Sequence, residues 1–520
     1  MNHRSSAHAA TSTNLRRSWL CIAYAFPPIN RSGTHRPLGF VRHLHALGWD
    51  ASVLTVPPRA EPIDESLLES VPSTTRIIRT AWFDPVAVMN RCLLRPGRDL
   101  FHIDELRTKC HYAALNASSH STRMRDWVSR WVRTPDSRVT WLLSAVPSAL
   151  IEIHRRRPDV IFSTSPYDTA HLIALLLHQS TRIPWVADFR DPWCGNPFRP
   201  TRPKSIERWN AALETAVLRR ASHIVCNSPT MTDALIRRNP AIDGKCSTIL
   251  NGFDAERFDA VSSHRAGTNG DFVLAHAGQF YGPRSPGVWF RALRGVRNHN
   301  PSLAARVTMV LIGPDQFEGQ PLESLARQAG IADRVRILGP KSHREALSIL
   351  AGADAVMLAG AAGSGAELQI PNKLYEYLAL RRPILTLAAA NSPVRTILRD
   401  AAANAVVCEP GDEAALSGAI IRLATGRHVA PANTWSGVSL FDRRHSADQL
   451  HELFVRLTRT RPITLSPESK PRRGLVIRPP TARARHDPLH VKNAVPKRRA
   501  GIRLMSVQRA GVDLSERPLT

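Results

Sequence analysis

The stretch "IPWVADFRDPW", residues 183–193, brings Asp188, Arg190 and Asp191 together at the end of an apolar run. Carboxylates placed there can orient or deprotonate a hydroxyl, and an arginine between them keeps a neighbouring carboxylate ionised. A second cluster, "GAELQIPNKLYEYLALRRPIL" (365–385), sets Asn372, Lys373 and Glu376 at the start of a helical pattern behind a glycine-rich loop. Backbone N–H groups at such a helix start suit a diphosphate, with Lys373 adding charge; the alternative is a surface helix with solvated charges. Glu376 falls one turn in on the same side, near where a ribose attached to that phosphate would lie. A third cluster, "PPINRSGTHR" (27–36), is a Gly-containing loop before a helix and favours anions in the same way. In a fourth, "STSPYDTAH" (163–171), Thr164 and Ser165 are polar wall positions or ordinary helix caps, as is Ser228 further along.

Each cluster follows a short apolar run, and ligands of open α/β sheets sit beyond the carboxyl ends of strands. The runs alternate with helical stretches, which predicts βαβ units and parallel sheets. Strands are expected at 19–26, 51–56, 159–165, 183–188, 223–228 and 247–252, with helices at 39–49, 168–180, 206–221 and 229–239. A second series has strands at 271–278, 306–313, 334–339, 355–359, 383–389 and 403–410, and helices at 343–353 and 372–381. The region 57–137 has little pattern, and the Gly- and Ser-rich stretch 259–271 reads as a linker. The expected organisation is a disordered start over 1–17, a first α/β domain over 18–255 and a second over 256–440. A closing helix over 441–460 and a basic, disordered tail over 461–520 complete it.

The chain has 520 residues, too many for one ordinary core, and its 43% hydrophobic content is that of a globular protein. Its formal charge of +27 predicts attraction to polyanions. Residues 461–520 hold 14 Lys or Arg against 4 Asp or Glu, so much of the excess lies in the tail. No nucleic-acid reading motif accompanies the charge. "RMRDWVSRWVR" (123–133) has a Met/Trp/Val stripe opposite arginines; it fits an anionic membrane face, or a helix buried against the first domain. Seven scattered cysteines without a C-x-x-C suggest neither a disulfide framework nor a zinc site, which points to a reducing compartment. "LRRSWLCIAYAF" (15–26) has the flanks of a signal peptide but ends in two prolines, and reads as a buried first strand. A cytoplasmic protein is expected, either peripheral at the inner face of the membrane or free of it.

Taken together, "PDVIFSTSP", "VADFRDPW", "HIVCNSPTM", "ILNGFD", "HAGQFYGPRSP" and "IPNKLYEYLALRRPIL" resemble the GT-B glycosyltransferases of family four, in the family's order over about residues 19–455. The match is closest to the branch that builds bacterial surface polysaccharides. The resemblance implies two Rossmann-like, doubly wound domains facing a central cleft, with 18–255 the acceptor side and 256–440 the nucleotide-sugar side. It implies a nucleotide sugar as co-substrate, no other cofactor and no metal. It further implies a glycan or lipid-linked acceptor. Glu376 would match the glutamate that bonds the donor ribose, and Arg284 the basic residue that grips the diphosphate. Ile370, Asn372 and Lys373 would line the phosphate side, Leu338 and Gly339 would flank the base, and Gly33 would face diphosphate and acceptor. "VADFRDPW" would supply an acceptor-side polar residue, leaving Asp188, Arg190 and Asp191 as catalytic candidates and Ser165 as a wall residue.

Two positions depart from the family pattern. The usual E-x7-E places leucine at 368, so the first glutamate's role is lost or moves to Glu367. The usual Gly-Arg is Gly278-Gln279, which leaves Arg284 to carry that charge; a guanidinium fork suits a diphosphate. The implied chemistry is retaining transfer. The alternatives are a catalytically weakened GT-B scaffold, from these departures, and a basic polyanion-binding protein, from the charge.

Overall fold

The structure is a computed structural model that describes residues 16–59, 61–84, 131–196, 199, 202–259, 261–266, 270–360, 365–430 and 432–459. All of them lie within one compact unit, residues 1–462. Among them, seven parallel strands form a first sheet in the order β3-β2-β1-β4-β5-β6-β7. These are β1 (Arg17–Ala23), β2 (Trp49–Thr55), β3 (Arg76–Arg79), β4 (Val160–Thr164), β5 (Trp185–Phe189), β6 (His223–Cys226) and β7 (Cys246–Thr248). Six parallel strands form a second sheet in the order β10-β9-β8-β11-β12-β13. They are β8 (Phe272–Ala277), β9 (Val307–Ile312), β10 (Val335–Ile337), β11 (Ala355–Leu358), β12 (Ile384–Leu387) and β13 (Ala405–Cys408). In both sheets the order reverses beside the first strand, the doubly wound arrangement expected above.

Helices cover both faces of each sheet. In the first half these are α1 (His35–Ala46), α2 (Trp141–Arg156), α3 (Thr169–Thr181), α4 (Lys204–Arg220) and α5 (Pro229–Arg238). In the second they are α6 (Gly287–His299), α7 (His343–Ala351), α8 (Lys373–Leu380), α9 (Pro393–Asp400) and α10 (Glu413–Ala424), before a last helix α11 (Arg443–Arg459). Strand β1 shows why its run is continuously apolar. Leu20 and Ile22 enter one core with α2 and α3, while Trp19, Cys21 and Ala23 enter another with α1. A strand buried on both faces has no polar side to alternate with.

Several elements differ from the expectation. Helix α1 starts at His35, four residues early, because Pro37 is at home in a first turn. Strand β3 lies in the region without pattern; it is a four-residue edge strand flanked by Arg76 and Arg79. Helices α2, α6, α9 and α10 are additional to those expected. Strand β7 keeps two of the six expected residues and starts one earlier, since the chain at 249–251 leaves the sheet to cross to the second half.

The chain crosses between halves twice, and the two crossings run side by side. Phe253 N donates to Phe441 O at 3.1 Å and Arg443 N to Phe253 O at 2.8 Å. A Cβ on Gly252 would press on Phe441 O and Arg443 N, so the close approach requires glycine there. After the second crossing, α11 returns to the first half. Its Ala447, Leu450, Leu453 and Phe454 pack with Trp19, Trp49 and Phe162. Cys21, Cys194, Cys226, Cys246 and Cys408 are free thiols; the other two cysteines, residues 123–130 of the amphipathic stretch and the tail 461–520 lie outside the described residues. Among the described residues no helix is long and apolar enough to cross a membrane.

Candidate active site

The carboxyl ends of the two sheets border a cavity of about 300 Å³. The first half contributes Ser32, Pro166, Arg190, Asp191 and Asn227, from loops after β1, β4, β5 and β6. The second contributes His276, Gln279, Tyr281, Arg284 and the run Gln369–Lys373 that leads into α8. Arg190, Arg284 and Lys373 face one carboxylate, Asp191, so the cavity suits an anion. Leu374 N and Tyr375 N turn back to Pro371 O and Asn372 O, so it is the dipole of α8 that adds to that preference.

Lys373 is placed by the backbone beneath it. Its side chain passes over Gly278, where an added Cβ would overlap Cε and Nζ, and Gly278 holds φ +130°. Burial and nearby Arg284 push the ammonium's pKa down, while Glu376 pulls it up. The guanidinium of Arg284 lies 5.1 Å from the Tyr281 ring and donates to its hydroxyl. His276 is buried against Phe280 with its Nδ1 2.8 Å from Met357 O; a carbonyl only accepts, so Nδ1 carries the hydrogen. Burial, with Lys373 and Arg284 nearby, pushes this imidazole down to about 3, so it is neutral at pH 7. Gly278→Ala is expected to displace Lys373 and weaken binding of a nucleoside diphosphate by about tenfold in a calorimetric titration. Unchanged affinity would show that the lysine's position is immaterial.

The three charges of "VADFRDPW" separate in the fold. Arg190 and Asp191 reach the cavity; Asp188 does not. Asp188 is fully buried, takes 3.0 and 2.8 Å bonds from Arg36 Nε and Nη2, and accepts Thr164 Oγ1 at 2.6 Å. A carboxylate occupied in this way cannot touch an acceptor, which corrects its expected catalytic place. Arg190 also works partly as a strut, donating to the carbonyls of Ser32 and Gly33, both at 2.8 Å. Burial pushes its pKa down to about 10, with Asp191 pulling it up, so it remains a cation at neutral pH. Gly33 and Ser165 lie behind the wall: Gly33 is buried under Arg190, and Ser165 Oγ accepts Arg190 N at 3.0 Å. Their neighbours Ser32 and Pro166 form the surface. Thr164 serves Asp188, and Ser228 pairs with Thr230 at 2.7 Å, so neither is a wall residue.

A second, smaller cavity of about 50 Å³ shares Ser32, Arg190, Asn251 and Asn372 with the first. Glu376 borders it with His35 and His343, and His343 Nε2 lies 3.0 Å from Glu376 Oε1. Burial pushes the Glu376 carboxyl up, but the His343 bond and the nearby His343, Lys373 and His35 hold it below the usual range. Asn251 Nδ2 donates to Asn372 Oδ1 at 2.8 Å, tying the first crossing to the start of α8.

The remaining expected residues divide. Ile370 and Asn372 line the main cavity. Glu367 borders a pocket of about 50 Å³ on the far side of Arg284, and its carbonyl accepts Thr230 Oγ1 at 2.6 Å. Leu338 lines a separate depression with Ala266 and Ile349, and Gly339 O accepts Gly313 N at 3.0 Å; neither residue borders the main cavity itself. They follow edge strand β10, two strands from β8. Arg36, Asn251, His276, Gln369 and His343 were not singled out from sequence. Arg36 was legible in principle, since an aspartate ending a fully buried strand needs a cation from a neighbouring helix.

Residues 102–257 match the model described as Glycosyltransferase Family 4, and residues 272–426 that described as Glycosyl transferases group 1. A D-inositol 3-phosphate glycosyltransferase of Saccharomonospora viridis is 30% identical over 200 residues, 34% of this chain and 46% of the relative. One of Salinispora tropica is 30% identical over 158 residues, 28% and 33% of the two chains. The chain thus spans less than half the length of these curated relatives. Among solved structures, sucrose-phosphate synthase from Thermosynechococcus elongatus has a TM-score of 0.55 at 16% identity, covering 86% of this chain and all of that one. Anabaena HepE, solved in complex with UDP-glucose, has a TM-score of 0.51 at 15% identity, covering 84% and 99%. The two family models succeed each other along the chain, the first over β4–β7 and the second over the second sheet, and the shared fold runs through both, so the chain belongs to the group 1, family 4 glycosyltransferases of GT-B fold.

Proposed function

We propose that the chain is a retaining glycosyltransferase that moves a sugar from a nucleotide-sugar donor to a glycan or lipid-linked acceptor in cell-surface polysaccharide synthesis. The observation that carries this is the inter-sheet cavity with three cations and the start of α8. The nucleoside diphosphate lies along Lys373, Arg284 and the first turn of α8, with its ribose at Glu376. As the bond from the sugar carbon to the diphosphate breaks, the growing negative charge meets these groups and Arg190. The acceptor hydroxyl forms the new bond from the same face, and its proton passes to a donor phosphate oxygen. Asp191, the carboxylate at the cavity wall, orients that hydroxyl. No metal ion is assigned a step.

A screen of radiolabelled nucleotide sugars with isolated lipid and glycan acceptors tests the proposal. Label transferred with retained anomeric configuration supports it; inversion or the absence of any donor binding overturns it. Glu376→Ala and Arg284→Ala are each expected to weaken donor binding by about ten- to a hundredfold with the fold intact by circular dichroism. Affinity equal to the unaltered chain in both variants would remove the donor assignment.

A further inference from the structure

Glu376 is held from one side only. Its Oε1 meets His343 Nε2 at 3.0 Å, and Oε2 has no hydrogen-bond partner among the described residues. A carboxylate accepts only, so Nε2 carries the hydrogen and donates. His343 is the first residue of α7, behind a capping box in which Ser342 and Glu345 bond each other's backbone, so its Cα is fixed. Across the cleft its ring faces that of His35, the first residue of α1, with centroids 6.3 Å apart and planes 27° apart. The side chains of His343 and Glu376 keep 40% and 32% of their surface exposed, so a ligand can reach the pair.

The terminal torsion of a glutamate is a broad, nearly two-fold rotor. Unrestrained, the carboxylate plane must be ordered by whatever binds it, at a cost in affinity. A fixed N–H on Oε1 removes that freedom and leaves Oε2 to accept from a ligand in the small cavity that Glu376 borders. We propose that His343 is a positioning residue that presents Glu376 Oε2 to the ribose hydroxyls of the donor, and so sets the preference for ribonucleotides. This rests on the donor reading above, in which Glu376 meets the ribose.

The test is calorimetric titration of the full chain with UDP, ADP and GDP and with the 2′,3′-dideoxy form of each. The readout is the affinity ratio of ribo to dideoxy for the base bound most tightly. Glu376→Ala is expected to reduce that ratio about ten- to a hundredfold. His343→Ala is expected to reduce it about tenfold while dideoxy affinity holds, and His343→Gln, whose amide N–H can replace Nε2–H, to restore most of it. A His343→Ala ratio like that of the unaltered chain, with the Glu376→Ala ratio collapsed, overturns the positioning role alone. Equal losses for both nucleotide forms in His343→Ala also overturn it. A ratio unmoved by Glu376→Ala, or no nucleotide bound by the unaltered chain, overturns the donor reading beneath it.

Discussion

Lys373→Ala is expected to lower the rate of sugar transfer at saturating donor by about a hundredfold or more, with a smaller loss in donor affinity. The ammonium lies over Gly278 at the head of α8, inside a cavity shared with Arg284 and Arg190. Charge on the leaving diphosphate grows as the glycosidic bond breaks, so a fixed cation there is worth more in the transition state than in the ground state. Arginine should not substitute well, because the close approach to Gly278 leaves little room for a planar fork. Steady-state kinetics separates the cases: loss in kcat follows from transition-state stabilisation, whereas a rise in KM alone would reduce Lys373 to a ground-state contact.

The second large effect is on stability. Arg36→Met is expected to destabilise the first half by about 3–5 kcal/mol, because it leaves Asp188 buried without its counter-charge. Arg36 also donates to Ile249 O at 2.9 Å, Leu250 O at 3.0 Å and Asn251 Oδ1 at 2.9 Å, so the same change frees the crossing strand. Asp188→Asn should cost a comparable amount by stranding Arg36. The double variant should recover part of the loss, since neither charge of the pair is left buried without the other, but not the part held by the three other acceptors. Thermal unfolding of the four proteins checks this. Additive losses would mean that the pair is not coupled.

The sheets were legible because a parallel strand buried on both faces needs an unbroken apolar run, as in "WLCIAYAF" and "RVTMVLIG". Strand β3 escaped because an edge strand of four residues between arginines carries no such run. The second-half wall of the cavities was legible for a related reason: Ile370, Asn372, Lys373 and Glu376 fall within seven residues, and one helix start fixes them all. The first-half wall was not. Asp188 and Asp191 stand three residues apart in sequence, yet the end of β5 turns one to Arg36 in the core and the other to the cavity. Spacing says nothing about which carboxylate meets a cation from another helix. His343 and Asn251 were invisible for the same reason, since their partners lie 33 and 121 residues away.

The paired crossings at Phe253 and Arg443 bear on how the protein is born. The strands of the first sheet leave the ribosome early, yet the face carrying Trp19, Trp49 and Phe162 is covered by α11, which ends at Arg459. At ~5–20 residues per second, the roughly 200 residues between the two crossings take on the order of 10–40 s to synthesise. For that interval the nascent first half shows a tryptophan-rich apolar surface, a natural client for a chaperone, until α11 emerges to cover it.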